Sequence, residues 1–117
     1  MKYPKRLKFR EVITLLQSGY YRIDKETGEV WNKHGRKIRP FYDRGERPFV
    51  RLYRNGKRKA VAVSKLVWMS MTNSLVPYQF EIHHRDENPA NNNWMNLLCI
   101  HNMDHRKLHG KDEVIPF

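Results

Sequence analysis

Apolar residues follow two different periods along this chain. Phe9, Val12, Ile13 and Leu16 fall at i, i+3, i+4 and i+7, one face of a helix predicted from Lys5 to Ser18, with Gly19 as its stop. Beyond Gly19 the period shortens towards two. Tyr20–Asp24 and Glu29–Lys33 flank the turn-like Lys25-Glu26-Thr27-Gly28, and Ile38–Tyr42, Pro48–Tyr53 and Lys57–Val63 read as further strands. Asn55-Gly56 between the last two is the strongest short hairpin signal available. This half is expected to form a curved antiparallel sheet or stacked hairpins. Ser64 is then expected to cap a helix from Lys65 to Thr72. After the loop Asn73–Tyr78 come a strand at Phe80–His83, a polar loop at Arg85–Asn93 and a return strand at Asn96–Ile100. Asn102 is expected to cap a closing helix, Met103–His109, ended by Gly110. Trp68 and Trp94 are assigned to the core.

Composition narrows the class. A chain of 117 residues suits one compact domain, and its 39% apolar and 12% aromatic content sets it apart from a disordered tail. The net charge of +11 calls for a polyanionic partner. That charge is uneven: residues 1–65 hold 19 Lys and Arg against 6 Asp and Glu, and residues 66–117 hold 4 against 6. Five of the six histidines lie in the span His83–His109. The chain therefore divides into a basic binding region, 1–65, and a chemical module, 66–117, within one compact unit. The single cysteine, Cys99, excludes an intramolecular disulfide and a four-cysteine zinc site, and is compatible with a reducing cytoplasm. No apolar run approaches the roughly 20 residues of a membrane span, and no apolar segment follows the basic N-terminus as a secretory signal would require.

The residues that can carry chemistry are Glu81-Ile82-His83-His84, Asn96, His105 and His109. His105 and His109, four apart, share one face of a helix. His83 and His84 are strand neighbours and face opposite ways, unless the strand ends in a bulge or turn that lets both reach one site. A hairpin packed on a helix can thus aim His83, His105 and His109 at one point, and three imidazoles suit a divalent transition metal with room left for water or phosphate. His84, left off the metal, suits a general base because an imidazole ordinarily titrates near neutral pH. The Asn96 amide can bond backbone groups across the loop and so orient His84.

This constellation resembles the HNH nuclease family. Glu81-Ile82-His83-His84 is similar to its first motif, Asn96-Leu97 to its middle Asn-Leu, and His105-Arg106-Lys107-Leu108-His109 to its closing helix. The stretch Ser64-Lys65-Leu66-Val67-Trp68, with Pro77 and Asn91-Asn92-Asn93, is similar to phage-encoded homing and nicking members. The resemblance implies an α+β protein: an N-terminal helix and a basic antiparallel β-sheet followed by a ββα-metal module. It implies an endonuclease hydrolysing DNA phosphodiester bonds in a bacterial or phage-infected cytoplasm. His84 becomes the general base, Asn96 the loop-orienting residue, His83 and His105 ligands of one divalent metal ion (Mg²⁺, Mn²⁺, Zn²⁺ or Ni²⁺), and His109 a third ligand. The chain departs from those phage members, which often carry Asp-His at His83-His84, Asn at His105 and His at Ser64.

Blander readings stand beside these. His101 and His34 fit no chemical role and are read as structural. Asp86 and Glu87 are read as shaping the loop, and Asn88, Asn91, Asn92 and Asn93 as turn formers. Arg51, Arg54, Lys57, Arg58 and Lys59 flank the hairpin tip; they are read as DNA contacts rather than a merely solvated sheet edge. A non-catalytic nucleic-acid-binding regulator with a structural metal site is the rival from another class. A monomer with one site would nick, and a homodimer could cut both strands.

Overall fold

The computed structural model describes residues 5–103. In chain order its elements are β1 (Lys5–Arg6), α1 (Phe9–Gln17), β2 (Tyr21–Ile23), β3 (Val30–Asn32), β4 (Phe41–Tyr42), β5 (Pro48–Arg54), β6 (Lys57–Ala62), α2 (Val63–Thr72), β7 (Phe80–His84), a 3₁₀ turn (Trp94–Asn96) and β8 (Leu97–His101). They form one four-stranded sheet, β1-β6-β5-β4, and two separate hairpins, β2-β3 and β7-β8. The mixed α+β architecture expected from the sequence is present, and the first half combines a four-stranded sheet with one separate hairpin.

Helix α1 is shorter than its periodicity suggested. Lys5 and Arg6 instead extend a sheet edge, pairing in parallel with Lys57 and Arg58, so the basic sheet is not wholly antiparallel. The helix begins after Lys8, whose N–H donates to Glu11 Oε1 at 3.0 Å. A carboxylate in the first turn satisfies an otherwise orphan donor and favours the positive end of the helix dipole. Val12 and Leu15 are buried, with Phe9, Ile13 and Leu16 packed beside them. The strand predicted over Ile38–Tyr42 shrinks to Phe41–Tyr42, because Pro40 has no N–H for a ladder and Lys37 bridges to Trp31 instead.

Strand β6 passes straight into α2 with no loop between. Ala62 is therefore the N-cap, and Ser64 is a buried residue of the first helical turn rather than the expected cap. The core lies between α1, α2 and the sheets, with Leu7, Val12, Val30, Val50, Leu52, Val61, Leu66, Val67 and Met69 almost fully enclosed. Burying side chains of this size contributes about 1.5–3 kcal/mol each. Tyr21, itself buried, ties the β2-β3 hairpin to the sheet: its hydroxyl donates to the Tyr53 carbonyl at 3.0 Å and accepts from the Tyr53 N–H at 2.8 Å.

The turn between β2 and β3 meets the C-terminal module. Asp24 Oδ1 accepts from the N–H groups of Glu26 and Thr27, and Gly28 closes the turn at φ +79°. A Cβ on Gly28 would lie 2.9 Å from Val63 Cγ1 and 3.0 Å from Asn92 Cβ. Gly28 is thus required twice, by its backbone conformation and by the close approach. Gly28→Ala should lower stability by about 1–3 kcal/mol, through left-handed strain and overpacking. An unchanged urea midpoint for this variant would show that the contact yields without cost.

Candidate active site

Strands β7 and β8 pair in regular antiparallel register, with His83 opposite Leu98 and His84 opposite Leu97. No bulge separates the two histidines; the turn that begins directly after His84 ends the strand. His83 is buried at 8% exposure and His84 is half-buried. Strand β8 is apolar from Leu97 to Ile100 and fully buried over that run, which anchors the hairpin beneath its polar loop.

That loop is held by its own asparagines. Asn96 uses both ends of its amide: Nδ2 donates to Asp86 Oδ1 at 2.9 Å and to the Asn91 carbonyl at 2.8 Å, while Oδ1 accepts from the Asp86 N–H at 3.1 Å. Its carbonyl also accepts from the Arg85 N–H at 2.8 Å. Asp86 in turn accepts from the Asn88 N–H at 2.9 Å and from Asn91 Nδ2 at 2.8 Å. These donors, Asn91 first, lower the Asp86 pKa to about 2. Asn93 Oδ1 accepts from the Met95 N–H at 2.9 Å and so caps the 3₁₀ turn.

The residue that touches His84 is Asn92. Its Oδ1 lies 2.8 Å from His84 Nε2, its Nδ2 donates to the Pro89 carbonyl at 3.3 Å, and it is only 4% exposed. The sequence reading had Asn92 as one turn former among several. A run of three asparagines does not reveal which one turns inward; that follows from the contact with Gly28. Asn96 holds the loop that carries Asn92 and does not itself touch His84.

Other assignments fall out differently. Trp94 is 38% exposed rather than in the core, with Lys25 Nζ over its ring at 5.6 Å, while Trp68 packs on the core as expected. The chain turns helical at residues 102–103, where His101 Nδ1 accepts from the Met103 N–H at 3.2 Å, and the N–H groups that an Asn102 cap would bond lie outside the described residues. His105 and His109 lie outside the described residues. Among those described, no cluster of three metal-ligating side chains forms, and His83 is the one predicted ligand present.

The five cations of the hairpin divide between two faces of the sheet. Arg51 and Arg58 share the outer face with Phe49 and Tyr53, where Arg51 stacks on Phe41 at 4.5 Å. Arg54, Lys57 and Lys59 lie on the inner face around the edge of the core. Arg54 sits over Tyr20 at 4.4 Å, Lys57 pairs with Glu11 at 3.0 Å, and Lys59 sits over Phe9 at 4.3 Å. Lys65 approaches the same Phe9 ring at 4.6 Å, and burial together with Lys59 lowers its pKa.

Comparison with known proteins places this geometry. Residues 61–107 match the family model described as HNH endonuclease. The fold is similar to a solved structure of DNA binding and cleavage by the HNH homing endonuclease I-HmuI, with a TM-score of 0.65, 25% identity and 82% of this chain covered. The chain covers 56% of that structure's length. No curated protein matches it. The β7-β8 hairpin with His84 and Asn96 lies inside the stretch that matches the HNH endonuclease model.

The Asp86 interactions carry a pH signature. A carboxylate held below its usual range stabilises the fold above about pH 4, where it is ionised in both states, and loses that contribution as pH falls towards 2. Asp86→Ala should therefore be less stable than the parent at neutral pH. The gap in urea midpoint should narrow steadily below about pH 4; a gap constant across that range would exclude the loop carboxylate as its source.

Proposed function

We propose that this protein is a metal-dependent endonuclease that hydrolyses DNA phosphodiester bonds, with His84 as its general base. The observation that carries the reading is the setting of His84 within the matched HNH stretch, at the end of β7, with one ring nitrogen bonded to Asn92. A base must be neutral near physiological pH and must keep a lone pair for a proton of the attacking water, and imidazole meets both needs. Asn96 keeps the loop in the shape that presents His84.

His83, His105 and His109 are the residues that would hold one divalent ion, and neutral imidazoles suit Zn²⁺ or Ni²⁺ at such a centre, with Mg²⁺ and Mn²⁺ as the oxygen-preferring alternatives. When bound, such an ion supplies Lewis-acid stabilisation of charge on the phosphate and the leaving oxygen. Arg51, Arg54, Lys57, Arg58 and Lys59 supply sequence-independent attraction to the DNA backbone. Support for DNA as substrate comes from the positive balance of residues 1–65 and from the DNA-cleaving homing endonuclease that the fold resembles. One site per chain cuts one strand, so a monomer nicks.

A supercoiled plasmid incubated with each of the four ions, with an EDTA control, tests the activity. Nicked product dependent on metal is expected; its absence with every ion, alongside retained DNA binding, would favour a binding regulator. His84→Ala should slow cleavage by about 100-fold or more while leaving DNA affinity unchanged. Undiminished metal-dependent cutting by that variant would remove His84 from the mechanism. Arg51→Ala and Arg58→Ala should each weaken binding across sequences and reduce the slope of log affinity against log salt by about 1.

A further inference from the structure

Asn92 is the most buried polar residue among those described. It is 4% exposed, its Cβ rests against Gly28, and both ends of its amide are bonded. The donor at one end fixes the role of the other. Nδ2 faces the Pro89 carbonyl, which can only accept, so the oxygen faces His84. An amide oxygen also only accepts, so His84 Nε2 must carry the hydrogen of their 2.8 Å contact. In the neutral imidazole the lone pair then resides on Nδ1, which makes no hydrogen bond to any described residue.

We infer that Asn92 is the positioning residue of the site: it holds His84 in the Nε2–H tautomer and orients the ring so that Nδ1 is the nitrogen that receives the proton. The seat for Asn92 comes from the basic half. Gly28 leaves the space that the Asn92 Cβ approaches, and the Trp94 N–H, two residues on, donates to the Lys25 carbonyl at 2.9 Å. The β2-β3 turn therefore buttresses the loop on both sides of Asn93. The catalytic part of this inference rests on the reading of His84 as the base; the tautomer itself does not.

Two variants of nearly equal shape separate positioning from packing. Asn92→Leu and Asn92→Asp both lose the bond to Pro89, but only Asp keeps an acceptor facing His84 Nε2. Asn92→Leu should lower kcat by about 10- to 100-fold with KM for DNA unchanged, as loss of an orienting partner does. Asn92→Asp should recover most of that loss. In ¹⁵N-histidine spectra of the metal-free protein, His84 should show the Nε2–H tautomer in the parent and in Asn92→Asp, and a tautomer mixture in Asn92→Leu. A folded Asn92→Leu with kcat within about threefold of the parent, or Asn92→Asp no better than Leu, would overturn the positioning role. An Nδ1–H tautomer in the parent would overturn the geometry. If His84→Ala cuts normally, the base assignment falls and the catalytic part of the inference with it, while the nitrogen spectra still decide the tautomer.

Discussion

Everything in the C-terminal module depends on satisfying the polar groups of the loop that follows His84. An irregular segment packed against a domain has no ladder to take up its N–H and C=O groups, and each one left unpaired away from water costs about 1–3 kcal/mol. Asn96 answers much of this demand. The Asp86 carboxylate and the Asn91 carbonyl both need a donor, and the Asp86 N–H needs an acceptor, all within reach of one amide. Aspartate there would turn both donor contacts into facing oxygens, one of them charged. Leucine would fill the space and take away the partner of the Asp86 N–H, the donor to the Asn91 carbonyl and one of the donors to the Asp86 carboxylate. Only an amide of this length meets all three, and the loop's other asparagines extend the same principle to Met95 and Ala90.

Once the loop holds its shape, its placement is decided from outside. The buried run Leu97–Ile100 fixes the hairpin against the core, and the β2-β3 turn meets the loop through the Lys25 carbonyl and Gly28. That turn is in turn tied to the basic sheet by the reciprocal bonds of Tyr21 and Tyr53. Contacts therefore run without a break from the strands that carry Arg51 and Arg58 to the side chain that holds His84. The two halves that looked separable by charge are joined by packing, and the helix α2 that links them is itself part of the core.

The sequence made the elements legible where one physical signal dominated. Asn55-Gly56 marked the β5-β6 hairpin, and alternation along Pro48–Arg54 marked its longer strand. The helical face of α1 was readable, but its start was not. Lys5 and Arg6 have no local reason to leave a helix; they do so because the edge of β6 offers them partners far along the chain. Ser64 misled for a similar reason: a good capping residue cannot cap when the strand runs directly into the helix and buries it. Within the site, His84 and Asn96 stood out by type and spacing. Asn92 did not, because its role depends on Gly28, 64 positions earlier, and no local pattern encodes that approach.

Net charge also says less about a nucleic-acid surface than the sequence count suggests. Several cations of the first half are already engaged: Lys57 with Glu11, Arg47 with Asp43, and Lys37 with Glu29. What distinguishes Arg51 and Arg54 is that their partners are rings, Phe41 and Tyr20, rather than carboxylates. A ring holds the guanidinium without neutralising it, so the side chain is ordered while its charge and donors stay available. Ordering in advance reduces the conformational entropy lost when a phosphate is met. Aromatic residues along the sheet edges thus hold a few cations of a diffuse excess as ordered donors whose charge is not neutralised.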